Sequence, residues 1–209
     1  MLTTSTFHGA GFLLTTAMWM LMMVVMMLPA VLPWLTGFAA LSRDRESGAI
    51  RGGWVALFGL GYFAAWLAFS VVGAALQIGL RSSGLLGASS ALVGPLAGLV
   101  LVGAGLYQVA PAKAGCLQHC RTPMSYFLSR WRNGPGGAFR MGLSHGAFCV
   151  GCCWALMLTG FALGVMNLAW MAVLTLVIAV ETLAPRGERI GRLAGAALVV
   201  WGLVLLSGA

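Results

Sequence analysis

Apolar residues run in six long stretches, at about 11–34, 53–79, 85–110, 140–164, 168–184 and 190–207, and polar segments separate them. About 20 apolar residues carry a helix across a hydrocarbon core, so the pattern predicts an all-α, polytopic membrane helix bundle of about six transmembrane helices. The breaks are chemically distinct. A charged loop from Arg43 to Arg51 follows the first stretch. Arg81 and Ser82-Ser83-Gly84 close the second. A long polar loop, about 111–139, follows the third, Asn167 marks the turn after the fourth, and Arg186 and Arg189 follow the fifth. The whole chain, 1–209, reads as one integral membrane domain.

Composition agrees. Of the 209 residues 60% are hydrophobic and 8% charged, with a mean hydropathy of +0.96. A soluble domain needs about 25% charged residues, and disorder needs low hydrophobicity; both classes are excluded. Thirty glycines suit closely packed membrane helices, a composition that also suits a homo-oligomer.

A net charge of +8 could signal nucleic acid, but the positions of the charges explain it better. With six spans, eleven of the twelve Lys and Arg residues share one side, and only Arg81 lies on the other. Positive residues stay cytoplasmic. Both termini are therefore expected outside, with the 111–139 loop in the cytoplasm of a bacterial inner membrane, its basic residues against anionic headgroups. Within that loop, Met124 to Trp131 reads as an amphipathic segment on the membrane surface. No nucleic-acid partner is expected.

The five cysteines fall in two groups of one spacing. Cys116, His119 and Cys120 are at i, i+3, i+4, as are Cys149, Cys152 and Cys153. Residues three and four apart share a helix face. The second group converges because a bilayer-spanning segment must be helical; the first converges if the loop forms a short helix. His145 lies one turn before Cys149 and Met141 one turn before that, so one stripe reads Met141, His145, Cys149, Cys152, with Cys153 at its edge. At about 1.5 Å per residue the thiols reach the bilayer midplane. A lone buried Cys is ordinarily a small hydrophobe; three with a histidine on one stripe point to a site.

Six of the twelve methionines fall between Met18 and Met27, and Met18, Met22 and Met26 form a line. Methionine often only fills gaps, but thioether, thiolate and imidazole together favour soft or borderline ions. Copper(I) heads the candidates, with zinc or another soft divalent ion behind it. Pro29 and Pro33 are expected to bend or break this helix, and His8 is expected exposed on the outer side. Glu181 is a ligand, a proton acceptor, or a partner of Arg140 or Arg186. No P-loop, H-E-x-x-H or nucleophile elbow appears, so no catalytic residue is assigned.

The chain resembles a bacterial domain-of-unknown-function family of predicted metal-binding integral membrane proteins. The resemblance rests on Gly105-Leu106-Tyr107-Gln108, on Cys116 and Cys120-Arg121 with Pro123, and on Gly137-Ala138-Phe139-Arg140-Met141-Gly142. It continues through His145-Gly146, Cys149-Val150-Gly151-Cys152-Cys153-Trp154, Gly164-Val165-Met166-Asn167 and Glu181. Thr182 departs from it, where a basic residue is expected. The resemblance implies metal binding in a membrane protein and no particular activity.

The residues together predict a soft-metal, foremost copper(I), binding membrane protein that transports or delivers the ion. The Met stripe receives it, His145, Cys149 and Cys152 bind it near the midplane with Cys153 as an added or alternate ligand, and Cys116, His119 and Cys120 exchange it on the cytoplasmic side. A membrane metalloenzyme or a metallochaperone is the expected partner. The alternatives are a transmembrane thiol–disulfide electron carrier and an accessory subunit of a membrane metalloenzyme complex.

Overall fold

The computed structural model describes residues 2–43, 51–87, 90–165 and 167–208, with the backbone alone at 2–8 and 10. Arg45 of the charged loop, Met166 and the His8 side chain lie outside this description. The described residues form eight helices: α1 Leu2–Leu41, α2 Gly52–Ser82, α3 Pro95–Val109, α4 Pro111–Arg121, α5 Pro123–Arg130, α6 Pro135–Leu163, α7 Leu168–Leu183 and α8 Gly187–Ser207. Four of them, α1, α2, α6 and α8, are long and apolar enough to cross a membrane. A fifth crossing arises if α3 and α4, bent by 62° where they meet, count as one. The 16 residues of α7 reach about 24 Å, short of a hydrocarbon core of about 30 Å.

Several expectations are corrected. The third apolar stretch does not begin as a helix at 85. Residues 85–87 and 90–94 fold back, with Leu86 bridged to Leu92, Leu92 N–H bonded to the Phe161 carbonyl at 2.7 Å and Val165 N–H to that of Ser90 at 3.4 Å. Their backbone groups thus find partners without a helix, which starts only at Pro95, a residue suited to a first turn. The loop expected at 111–139 is mostly helical, as α4, α5 and the start of α6. Nor do Pro29 and Pro33 break the first helix: α1 runs through both. The Thr36 hydroxyl donates to the Leu32 and Pro33 carbonyls, each at 3.1 Å.

Glycine sets two close helix contacts. A Cβ at Gly146 on α6 would sit 2.6 Å from the Tyr62 carbonyl on α2, and one at Gly202 on α8 would sit 2.7 Å from the Gly98 carbonyl on α3. The backbones touch there because no side chain intervenes. The α2–α6 contact brings Tyr62 against the thiol-bearing stretch of α6. Asn167 caps α7, its side-chain oxygen accepting from Trp170 N–H at 3.1 Å. On short α5, Tyr126 and Phe127 turn inward while Leu128 stays 76% exposed.

Candidate metal centre

Helix periodicity brings Cys149, Cys152 and Cys153 to the buried side of α6. A fourth thiol comes from α4. The bend at Ala110 lays α4 against α6, so that Cys120, near its end, meets Cys152 with the sulfurs 3.9 Å apart. The sulfurs of Cys120, Cys149 and Cys152 all lie within 4.8 Å of one another. Three thiolates bound to one ion at about 2.3 Å stand about 4 Å apart, so the spacing fits a three-coordinate ion. Cys153 Sγ lies 3.2 Å from Cys152 Sγ, at the edge of the group. Tyr62 of α2 closes the other side, its hydroxyl 3.2 Å from Cys149 Sγ.

Two imidazoles flank the thiols. His145 is buried and stacks on Trp34 of α1, ring centroids 3.5 Å apart at 17°. The Trp34 indole N–H donates to the Cys120 carbonyl at 3.0 Å and so ties α1 to the end of α4. His119 stacks on Phe148, the residue before Cys149, at 3.9 Å. His145 Nδ1 and His119 Nε2 are buried without a hydrogen-bond partner. A buried polar atom left unpaired costs about 1–3 kcal/mol, and two of them beside a thiol cluster fit a site for a soft ion.

A family model described as PpoB2, copper chaperone, matches residues 16–205. The chain belongs to the copper chaperone family. No curated protein and no solved structure matches it. Binding copper and handing it on is the business of a chaperone rather than an enzyme, in keeping with the absence of a catalytic assignment from the sequence. The site suits the chemistry of that family's metal, because thiolates select copper(I) and imidazole also suits copper.

Within this chain, the expected site residues separate. Cys120, Cys149 and Cys152 come together, with Cys153 and His145 close by. Cys116 does not join them: it is half-buried and its sulfur faces Gly151 of α6. Cys116, His119 and Cys120 therefore do not form one group, because α4 lies across α6 and successive turns meet it at different points. Met141 is buried, and its carbonyl accepts from the Tyr126 hydroxyl at 3.2 Å. Of the line Met18, Met22, Met26 only Met26 is fully buried; the inward face of α1 instead presents Trp19, Met23, Met26, Met27, Val31 and Trp34. Glu181 pairs with neither Arg140 nor Arg186. It receives Lys113 Nζ at 2.8 and 2.9 Å and the Gln108 amide at 2.9 Å. Tyr62, Trp34 and Lys113 escaped the sequence reading, since an aromatic in an apolar run or a lone lysine in a basic loop carries no spacing signal.

Proposed function

We propose that the chain is a multi-pass protein of the bacterial inner membrane that binds copper(I) and moves or delivers it. The reading is carried by Cys120, Cys149 and Cys152, three buried thiols from two helices whose sulfurs lie within 4.8 Å of one another. These thiols hold the ion in a three-coordinate site, open enough for ligand exchange, whereas closed four-ligand sites hold metal for structure. Cys153 is the alternate ligand and His145 the flanking donor. Met141 and the α1 methionines, Met26 foremost and Met18 and Met22 beside it, are weaker thioether donors on the way in, and Cys116 and His119 serve exchange. Four long apolar helices and the bent α3–α4 pair make five crossings, and α7, short of the hydrocarbon core, makes the sixth where the bilayer thins around it, with both termini outside. Large exposed apolar side chains such as Leu13, Leu14 and Leu21, 67–71% exposed, support a lipid surround.

Elemental analysis of the chain purified under reducing conditions tests this reading. About one copper per chain is expected, lost in Cys149→Ser and in Cys152→Ser. Stoichiometric zinc would contradict the choice of metal. A metal-free chain with a reversible disulfide would favour a thiol–disulfide electron carrier, for which the 3.9 Å approach of Cys120 and Cys152 sulfurs is also suited.

A further inference from the structure

An open cavity of about 680 Å³ lies between α4 and the turn joining α7 to α8, a volume in the range of small-molecule sites. Arg121, Arg186 and Arg189 line it. Arg121 is fixed in place, donating to the Ala184 carbonyl at 2.6 Å and the Pro185 carbonyl at 3.0 Å. Arg186 and Arg189 are exposed, and neither forms an ion pair among the described residues. The carboxylate in the wall, Glu188, is taken by Arg192 at 2.6 Å. The cavity therefore presents a surplus of positive charge.

His119 lines the same cavity. Its ring stacks on Phe148, next to Cys149, and the following residue, Cys120, belongs to the thiol group. Cavity and thiol site are thus two sides of one short piece of α4. An imidazole donor stands between them, with a buried nitrogen that has no partner.

The charge decides what the cavity takes. Three guanidiniums repel a bare copper(I) ion. They attract an anion, and a guanidinium pairs with a carboxylate through two parallel hydrogen bonds. In a reducing compartment, where small thiols abound, thiolates hold copper(I); two thiolates on one copper(I) leave a negative complex, more so if the thiol also bears carboxylates. We propose that this cavity docks an anionic, carboxylate-bearing small thiol that exchanges copper(I) with the cysteine site. The proposal rests on the copper(I) reading above and names the carrier. In each exchange one Cu–S bond to the carrier breaks as one to a cysteine of the chain forms. The cysteine's proton passes to the departing thiolate, and copper remains copper(I), so no electron moves.

The test loads the full chain in lipid nanodiscs with copper(I) presented as its glutathione complex, which is anionic, or its cysteamine complex, which carries ammonium groups. Chain-bound copper is sampled over time at low ionic strength, where charge steering is least screened. In the double variant Arg186→Glu with Arg189→Glu, the loading rate from glutathione should fall at least about tenfold, with no fall from cysteamine. An equal fall with both carriers, or no change, would overturn the proposal. Final copper content separates the two claims: normal content without any charge preference overturns the cavity alone, whereas no copper from either carrier overturns the thiol site and the carrier with it.

Discussion

Lys113 and Cys120 lie about two turns apart on α4, both buried, in opposite surroundings. At Lys113 every hard polar group is closed off. Its ammonium reaches both Glu181 oxygens and the Gln108 side-chain oxygen, and the Gln108 amide donates back to Glu181. At Cys120 the neighbours are thiols, and the flanking imidazoles keep unpaired nitrogens. The first arrangement is complete in itself and clamps α4 to α3 and α7. The second leaves its donors open to a ligand. Burial alone thus does not mark a site; burial with unspent bonding capacity does.

The sharpest way to break this contrast is to leave half of the clamp. Lys113→Ala strands the Glu181 carboxylate and should cost about 3–5 kcal/mol in denaturant unfolding. Replacing both partners, Lys113→Met with Glu181→Leu, should restore most of that loss. Gly146→Ala drives a methyl toward the Tyr62 carbonyl and Ala65, so it should cost about 1–3 kcal/mol and weaken copper binding by moving α2 away from Cys149. His145→Phe keeps the stack on Trp34 while removing the orphaned nitrogen. It should stabilise the metal-free chain by about 1 kcal/mol, the opposite sign to Lys113→Ala. Glu188→Gln, which breaks an exposed i,i+4 pair with Arg192, should change stability by at most about 0.5 kcal/mol; a larger loss would show that exposed and buried pairs here are not so different.

These contrasts also mark how far the sequence could be read. The stripe of Met141, His145, Cys149 and Cys152 was legible because a long apolar stretch has to be helical, and helical period then fixes which residues share a face. Cys120 as their companion was not, since its approach depends on the 62° bend between α3 and α4, which follows from packing rather than from local pattern. Which methionines of α1 face inward was not legible, for another reason. Lipid is as apolar as a protein core, so hydropathy cannot tell the side of α1 that meets His145 and Phe161 of the thiol helix from the side that carries Leu21 and Val25. Residues 85–87 and 90–94 misled similarly: a short apolar run looks alike whether it starts a helix or folds back on one. Glu181 called for a cation, but several basic residues were on offer, and the three-dimensional course of α4 made the choice.

The central claim is that sulfur from both α4 and α6 binds one ion. Copper K-edge X-ray absorption of the copper-loaded chain tests it most directly. The account predicts a first shell of about three sulfurs that loses one in Cys120→Ser. A shell dominated by nitrogen or oxygen, or a spectrum unchanged in Cys120→Ser, would contradict it.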